Sequence, residues 1–569
     1  MKGRSMNRWV AALSVGALLT ATACSGGGSP AATDGGGTAE AGAAPADNAA
    51  ATPAVAKDPF GPLPEKTKMT IFRELTDELL LPEGETATEN RYIQVFEEKL
   101  NIDYEFPITI KAGPAAVDKM KMLIASNDIP DGMSVGYNMF LQMVKSDMLQ
   151  DLTQAFEDYA SPALKEVLQT DGGKALGLVT VDGKLYGIPS MGTLHDQDPL
   201  LWVRKDWLDK LGLPEPETLA DMVDIARAFK ERDPDGDGQA DTIGLPGVEG
   251  FVNESSSPFA FDGIFDAHKA YMKLWLKQED GSYTYGSITP EAKNALSLLR
   301  QMYADGLIPK DFAILTADKA VEQIVSGQAG LFFGPWWSGW WPLSDAVKND
   351  PSGDWQAYAI QNVDGEYRAK QMTPIGSIAV LKKGFKYPEA LVKTMNAYYA
   401  MQLDDPTPLG GDPYAGLQLP SWQSVPIPIP LWRADSVVLD HIGIKAVLEG
   451  TEPPKVGKAT LDNYKVVADN WKKGVEALKQ TPDLYGEPVS RMLGAGEIVE
   501  KDIQPVYGDF FGTTSAMEKK KTNLDKLETD AFLKIITGEQ PLDYFETFAE
   551  EWKRMGGEDI LNEIAETMK

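Results

Sequence analysis

Four tryptophans lie within six residues of this chain, at Trp336, Trp337, Trp340 and Trp341. Flat indole rings pack on the apolar faces of sugar rings, while hydrogen-bonding side chains meet the hydroxyl edges. Neighbouring residues cannot all point into one cleft. We therefore expect one or two of these rings to contact a ligand and the others to pack in a core. The alternative is that all four are core or protein-contact residues.

A second aromatic group comprises Trp422 and Trp432, next to Arg433, within LPSWQSVPIPIPLWRA. The repeated prolines exclude a helix here and disfavour a central strand. Arg433 could bind an acidic sugar through its two-pronged guanidinium, or it could form a salt bridge with one of the many acidic side chains. His195 and Asp196 are further candidate partners for hydroxyl groups.

The acidic loop DPDGDGQAD over residues 233–241 has the spacing of a calcium loop. Its oxygen ligands would be Asp233, Asp235, Asp237, the Gln239 carbonyl and Asp241, and Gly238 permits the sharp turn. The twelfth position is Gly244 and not the bidentate glutamate of a full EF-hand. We expect a structural Ca²⁺, because carboxylates that converge without a cation repel one another. The alternative is an acidic turn without metal.

Composition excludes several classes of function. The chain has 569 residues, 54 Lys+Arg and 84 Asp+Glu, and a net charge of -30. This charge argues against a nucleic-acid partner and against docking on anionic lipid through a basic patch. One cysteine excludes a disulfide framework, and three histidines argue against a zinc hydrolase with several His ligands. The acidic surface fits a soluble, monomeric extracellular protein.

The first residues resemble the signal peptide and lipobox of a bacterial lipoprotein. Lys2, Arg4 and Arg8 precede a short apolar run, and small residues lead into Cys24, the only cysteine. The resemblance implies cleavage after residue 23 and a lipid on Cys24, which would hold the protein on the outer face of the membrane. An ordinary secretory signal is the alternative. Residues 24–64 are rich in Gly, Ala and Pro and predict a disordered tether.

The folded body predicts an α/β class. Strand patterns over residues 66–75, 101–110 and 131–137 alternate with helical spacing over 89–100 and 115–126. Such alternation favours a mainly parallel sheet with helices on both faces, and ligands of open sheets bind at the carboxyl ends of the strands. That rule makes candidates of Arg73, Glu74, Tyr137 and Asn138.

The order of several loose motifs resembles one family. These motifs are GKLYGIP at 183–189, LLWVRKDWL at 200–208, a helix start capped by Thr218, GLFFGPW at 330–336, QMTPIGS at 371–377 and the tail from 532 to 563. Together they resemble the bacterial extracellular solute-binding proteins, and in particular the long oligosaccharide-binding lipoproteins that include the alginate-binding proteins of ATP-driven importers.

The resemblance implies two α/β lobes that close on a ligand like a clamshell, joined by hinge crossovers. It implies the first lobe at 65–190, the second at 191–374, a return to the first at 375–425, and mainly second-lobe helices at 426–569. His195 and Asp196 would follow the first crossing, and the proline-rich segment would be the third. The Gly-Pro-Trp match favours Trp336 or Trp337 as ligand contacts. The alginate-binding relatives carry a structural calcium loop at the matching place.

The implied function is capture of an oligosaccharide and its delivery to the permease of an ABC importer, without covalent chemistry. One alternative is a secreted polysaccharide lyase or glycoside hydrolase, which needs two carboxylates at a defined separation. Asp262, Asp266 or Glu254 would form such a pair only by accident of folding. The chain has no G-x-S-x-G, Walker or H-E-x-x-H motif. The other alternative is a receptor for peptides.

Overall fold

The computed structural model describes residues 57–75, 81–236, 238–239, 241–252, 258–403 and 422–568, with only the backbone of Trp422. The strands are β1 Thr67–Leu75, β2 Ile102–Lys111, β3 Gly132–Val135, β4 Thr180–Val181, β5 Lys184–Leu185, β6 Gly187–Met191, β7 Leu200–Arg204, β8 Trp275–Lys277, β9 Tyr283–Tyr285, β10 Leu331–Gly334, β11 Trp355–Tyr358, β12 Arg368–Lys370, β13 Ile375–Leu381 and β14 Gln504–Val506.

The described residues also form twenty-one α-helices. They are α1 Arg91–Leu100, α2 Pro114–Ser126, α3 Tyr137–Lys145, α4 Thr153–Tyr159, α5 Pro162–Val167, α6 Lys174–Leu178, α7 Lys205–Leu211, α8 Leu219–Glu231, α9 Asp262–Ala267, α10 Pro290–Ala304, α11 Ala317–Val325, α12 Leu343–Asn349, α13 Glu389–Gln402, α14 Ser436–Glu449, α15 Lys458–Trp471, α16 Val475–Lys479, α17 Pro482–Val489, α18 Ala495–Glu500, α19 Ser515–Thr537, α20 Tyr544–Trp552 and α21 Glu558–Thr567.

The first lobe is built on a five-stranded sheet in the order β2-β1-β3-β13-β6. Its apolar core draws on residues 63–191 and again on 375–434. Strand β1 shows why the element forms: Met69, Ile71 and Phe72 are buried in this core. Asn90 caps α1 by accepting hydrogen bonds from the amides of Tyr92 and Ile93, both 3.0 Å long.

The sheets are less parallel than the sequence predicts. Strands β1, β2 and β3 are parallel, but β13 runs antiparallel to both β3 and β6. The reason is topological: β6 leaves the first lobe toward the crossings, and β13 enters through them, so the two must run in opposite directions. The expectation of a mainly parallel sheet is therefore wrong for this edge.

The second lobe contains a three-stranded sheet, β10-β7-β11, in which both neighbours run antiparallel to β7. Helix α8 begins at Thr218, as predicted, and Thr218 and Asp221 form a reciprocal capping box. Two large apolar cores and a small one between α14 and α15 fill this lobe, and the C-terminal helices α19, α20 and α21 contribute to the largest. The α/β two-lobe architecture of the prediction is confirmed.

Three chain segments connect the lobes: residues 192–199, 371–374 and the proline-rich residues 425–435. Val425, Ile427, Ile429, Leu431 and Ala434 all lie in the first lobe's core, whereas Val437 lies in a core of the second. The change of lobe therefore falls after Ala434, nine residues beyond the boundary at 425 that the sequence predicts. The local reason is the alternation of proline with buried aliphatic residues, which continues past that point.

No helix in the described ranges has both the length and the apolar character that a membrane span requires.

Candidate functional site: the cleft between the lobes

The three crossings lie side by side and are hydrogen-bonded to each other. The Leu194 amide donates to the Ala434 carbonyl at 2.8 Å, and the Gly192 amide donates to the Pro374 carbonyl at 2.9 Å. The first crossing thus joins both others. Residues that lie far apart in sequence, such as His195 and Trp432, are brought to one end of the interface between the lobes.

His195, a predicted ligand contact, is the centre of a buried network. Its Nδ1 lies 2.7 Å from Asp198 Oδ2, and its amide donates to Gln371 Oε1 at 3.1 Å. Gln371 Nε2 in turn donates to Asp198 Oδ1 at 2.6 Å. Burial by itself lowers the pKa of His195, but the Asp198 carboxylate outweighs burial and raises it. His195 therefore connects two crossings, and any ligand contact by its ring stays a prediction.

A second buried network lies beneath the start of the second crossing. Lys370 Nζ donates to Asp262 Oδ1 at 2.6 Å, and the Lys370 amide donates to Asp266 Oδ2 at 2.9 Å. Burial raises the pKa of Asp266 to about 8 although the Lys370 ammonium opposes it. Asp262 and Asp266 are two of the three carboxylates considered for a hydrolase, and the fold brings them together, whereas Glu254 lies outside the described residues. Their residues are only 2% and 3% exposed, so a glycosidic bond could not reach them.

The tryptophan turn, residues 336–341, lies against the first crossing. Trp337 Nε1 donates to the Asp196 carbonyl at 3.1 Å. Trp336 is buried, Trp337 and Trp341 are half-buried, and Trp340 is 38% exposed. Trp341 packs edge-on against Phe259 in the second lobe. The ring with the largest exposed fraction is Trp340 and not Trp336 or Trp337. Which of the four rings contacts a ligand stays a prediction.

Arg491 holds two of these rings and was not predicted. Its guanidinium lies 4.6 Å from the centre of the Trp336 ring and 5.5 Å from that of Trp340. An ion pair of 2.7 Å to Asp440 fixes it, and the Tyr464 hydroxyl donates to the same carboxylate at 2.9 Å. No local sequence signal could have shown this, because Arg491 follows Trp340 by 151 positions.

Glycines allow the close approach that creates this arrangement. Arg491 belongs to a wide helical turn, Ser490–Gly494, between α17 and α18. A Cβ added to Gly494 would lie 2.1 Å from the Trp336 carbonyl oxygen, and one added to Gly339 would lie 2.6 Å from Ser490 Oγ. The two backbones are therefore in direct contact. Larger residues at these positions would push the tryptophan turn away.

The third crossing carries one exposed ring and one neutralised arginine. Trp432 is 39% exposed. Arg433 makes a two-pronged pair with Asp435, at 2.8 and 3.0 Å, and a third bond of 2.7 Å to Glu166. The salt-bridge alternative is thus what the structure shows for Arg433. The side chain of Trp422 lies outside the described residues, so its contact with ligand stays a prediction.

The carboxyl end of β1 points toward the third crossing. Arg73 is 1% exposed and donates to the carbonyls of Gln423 and Val425. Burial lowers the pKa of Arg73 to about 10. Its neighbour Glu74 is half-buried, and burial raises the pKa of that carboxyl group. Arg73 therefore organises the crossing, and any ligand contact by Glu74 stays a prediction.

Tyr137 and Asn138 begin α3 at the carboxyl end of β3, where the strand pattern predicted them. Tyr137 is half-buried and packs on Phe140, with ring centres 6.1 Å apart. Asn138 Nδ2 donates to Thr513 Oγ1 of the second lobe at 2.8 Å. Lys174 of the first lobe likewise lies 5.4 Å from the ring centre of Tyr507. These contacts with residues 507–513 join the lobes outside the crossings, and no sequence pattern predicts them.

The acidic loop is only partly described, because Asp237 lies outside the described residues. Asp233 accepts hydrogen bonds from the amides of Gly236, at 3.0 Å, and Gly238, at 3.2 Å. A hydrogen bond with Asp235 lowers the pKa of Asp233. Among described residues, no group of three acidic, histidine or cysteine side chains is arranged to hold a metal. The oxygen donors present are of the type that Ca²⁺ prefers.

One family model matches this chain and shows what kind of protein it is. The family model described as bacterial extracellular solute-binding protein matches residues 91–390. The chain belongs to this family. The match covers the first-lobe sheet from α1 onward, both early crossings and most of the second lobe. It therefore includes the tryptophan turn and the His195 network.

Two individual relatives are less than 30% identical to this chain over the aligned residues. The chain is 24% identical over 502 residues, 84% of this chain and 88% of the relative, to the polygalacturonan/rhamnogalacturonan-binding protein YtcQ of Bacillus subtilis. It is 28% identical over 205 residues, 34% of this chain and 37% of the relative, to the fructooligosaccharide ABC transporter substrate-binding protein FusA of Streptococcus pneumoniae. The relatives are binding proteins and not enzymes.

Solved structures support the fold. The alginate-binding protein AlgQ2 without calcium ion superposes with a TM-score of 0.51 at 15% identity, over 90% of this chain and 99% of that one. An EF-hand mutant of S. pneumoniae FusA in complex with fructo-nystose gives 0.51 at 17% identity, over 88% of this chain and 98% of that one. At these identities the likeness establishes the two-lobe architecture alone.

Proposed function

We propose that this protein captures an oligosaccharide between its lobes and delivers it to the permease of an ABC importer. One observation carries the proposal: the Trp337 indole is hydrogen-bonded to the first crossing, which supports a position of the tryptophan turn at the wall of the cleft. Exposed rings on both sides of the interface, Trp340 and Trp432, then offer flat apolar faces. Sugar rings stack on such faces, and peptides need them less.

Binding without chemistry agrees with the surroundings of the cleft. The two neighbouring carboxylates, Asp262 and Asp266, are fully buried and engaged with Lys370. A hydrolase or lyase would need acid and base groups that touch the substrate. The named relatives are binding proteins, which supports the same conclusion.

Ligand capture would act through the equilibrium between open and closed lobes. A ligand that contacts both lobes binds the closed form more tightly and increases its population. Asn138 and Lys174 contact residues 507–513 across the interface, so closure brings protein groups together as well. The closed form would present the surface that the permease recognises. We propose a monomer for this cycle.

Ca²⁺ and a lipid anchor complete the proposal. The loop 233–241 would hold Ca²⁺ through Asp233, Asp235, Asp237, Asp241 and the Gln239 carbonyl, and the ion would stabilise the surface loop. The inward-facing Asp233 carboxylate supports this. Addition of EDTA should then lower the melting temperature, and Ca²⁺ should restore it. Cys24 lies outside the described residues. A lipid there would keep the protein on the outer face of the membrane, and mass spectrometry of the native protein would detect it.

The ligand is tested by thermal-shift measurements with a panel of oligosaccharides and peptides. A ligand at a hundred times its Kd should add about 2.7 kcal/mol to the free energy of unfolding. Mass spectrometry after incubation should show intact sugar. Stabilisation by peptides alone would contradict the sugar proposal, and shortened sugar chains would establish an enzyme instead.

Two variants connect the ligand to the exposed rings. Trp340→Ala and Trp432→Ala should each weaken sugar binding by about tenfold, since a stacked ring contributes roughly 1 kcal/mol beyond its buried area. Ile314→Ala is the matched control, because Ile314 is 78% exposed and packs in none of the site's elements. Unchanged affinity in both tryptophan variants would contradict the proposed site.

A further inference from the structure

We infer that the captured oligosaccharide is uncharged, an inference that rests on the proposed function and specifies its substrate class. The reason is that the arginines beside the candidate rings already have partners. A polyuronate presents one carboxylate per sugar residue, and its recognition needs cationic groups that are able to pair with it. The state of each arginine therefore decides between the two kinds of sugar.

Arg433 and Arg491 are both neutralised by carboxylates. Arg433, next to the exposed Trp432, uses all three of its nitrogens on Asp435 and Glu166, at distances of 2.7 to 3.0 Å. Arg491, beside Trp340, pairs with Asp440 at 2.7 Å and has its flat face on two indole rings. A uronate would have to break these pairs, and the displaced carboxylates would then repel it.

Arg73 already donates hydrogen bonds to the backbone. Both of its terminal nitrogens donate to backbone carbonyls of the third crossing. The residue is 1% exposed, so a ligand cannot reach it without removing Gln423 and Val425 from their positions. Arg73 thus contributes to the shape of the cleft and not to a surface for anions.

The remaining charge near the cleft is mostly negative. Glu74 lies at the carboxyl end of β1, and Asp196 lies beside Trp337 on the first crossing. Lys174, exposed above the Tyr507 ring, is one opposing charge, and Arg368, which lines a cavity with Asp198, already pairs with Glu366 at 2.7 Å. The segments 76–80, 253–257 and 404–421, which the structure does not describe, contain no lysine or arginine, and the whole chain has a net charge of -30.

Hydroxyl groups suit this environment better than carboxylates do. A carboxylate such as Glu74 accepts hydrogen bonds from hydroxyl groups, while the exposed indoles cover the apolar faces of the sugar rings. A neutral sugar gains both contacts without meeting a repulsive field. This chemistry separates the chain from its relative YtcQ, whose name specifies polygalacturonan.

The test uses matched sugars that differ only in charge, with the purified protein and isothermal titration calorimetry. The pairs are galacto-oligosaccharides and oligogalacturonates, manno-oligosaccharides and oligomannuronates, and oligogalacturonates before and after methyl esterification. Within the pair that binds, we expect the neutral sugar to bind at least about tenfold more tightly than the charged sugar. The neutral sugar's Kd should change less than about threefold between roughly 50 and 500 mM NaCl, because no exposed ion pair forms.

Each outcome separates the inference from the proposed function. Tighter binding of a uronate, weakened by salt, would overturn the inference and leave oligosaccharide capture standing. Lys174→Met would then be expected to weaken that uronate binding by at least about tenfold. If no sugar of either charge binds, the proposed function fails, and the inference about its substrate fails with it.

Discussion

Two arginines organise the two walls of the cleft, and they do so by different means. In the first lobe, Arg73 has no carboxylate partner among the described residues and donates to backbone carbonyls of the third crossing. In the second, Arg491 is paired with Asp440 and lies on the rings of Trp336 and Trp340. Arg73 thus holds a backbone segment in place, and Arg491 holds the side chains of two tryptophans in place.

This difference has an energetic consequence. Removing Arg491 leaves a buried carboxylate without its cation, which is costly. Removing Arg73 leaves two carbonyls without donors, but it also removes a buried charge that has lost its hydration. The lobe-two wall should therefore be more sensitive to loss of its arginine than the lobe-one wall, although Arg73 is the more deeply buried residue.

The largest effect is expected for Arg491→Met. Asp440, whose side chain is only 13% exposed, would lose its cation, at a cost of about 3 kcal/mol in the free energy of unfolding. Burial already raises the pKa of Asp440 in spite of Arg491, and loss of the arginine should raise it further. Protonation then favours the folded state, so the deficit measured by urea unfolding should be smaller at pH 5 than at pH 8.

The double variant Arg491→Met with Asp440→Asn serves as the control for this effect. It removes both charges and should recover most of the lost stability at pH 8. A deficit that is equal at both pH values, or that persists in the double variant, would show that packing on the indoles and not the ion pair holds the turn.

A smaller loss, about 2 kcal/mol, is expected for Gly494→Ala. Its backbone φ of -66° suits alanine, but the new Cβ would lie 2.1 Å from the Trp336 carbonyl oxygen. Gly177→Ala in α6 is the matched control, since a Cβ there meets no atom within 4 Å. Thermal melts of both variants should show a clear decrease for the first and no decrease for the second.

Arg73→Met should cost about 1 kcal/mol, less than Arg491→Met, because the lost hydrogen bonds are partly offset by removal of an unpaired buried charge. Urea unfolding of the two variants side by side provides the direct comparison. Arg227→Met, which breaks a surface pair with Asp305 at 2.6 Å, should leave the stability nearly unchanged. A larger loss of stability for the Arg73 variant than for the Arg491 variant would show that the first-lobe wall depends more on its arginine than the second-lobe wall does.

Asp266 should contribute a pH dependence to the stability instead of a fixed loss. Its folded pKa of about 8 lies above the ordinary 3.8, so its contribution to stability is greatest at low pH and decreases as the pH rises toward 8. Asp266→Asn should remove this decrease, which amounts to at most about 1.4 kcal/mol per pH unit. Melting temperatures of both proteins from pH 5 to 9 should diverge, with the variant favoured at high pH. Parallel curves would contradict a raised pKa.

Much of the first lobe could be predicted because its signals are local. Strand β1 begins one residue from its predicted start, and helix α8 begins after the predicted Thr218 cap. Period-two and helical spacing report which face of an element is buried, and capping depends on neighbours only three residues away. The prolines of the third crossing likewise exclude a helix whatever surrounds them.

Strand direction in the second lobe and the partners of Arg491 could not be predicted in this way. Both depend on segments that are distant in sequence, and the periodicity of one segment does not report which other segment packs on it. The same holds for Tyr507 and Lys174, which meet only because the two lobes face each other.

The sequence by itself determined the α/β class, the boundaries of the early elements and the family to which the chain belongs. Local patterns and motif order carry that information. The tertiary structure decided which rings are exposed, which arginines are neutralised and where the third crossing changes lobe. Those properties arise from contacts such as Arg433 with Glu166, 267 residues apart. A contact of that kind exists only after the whole chain has packed.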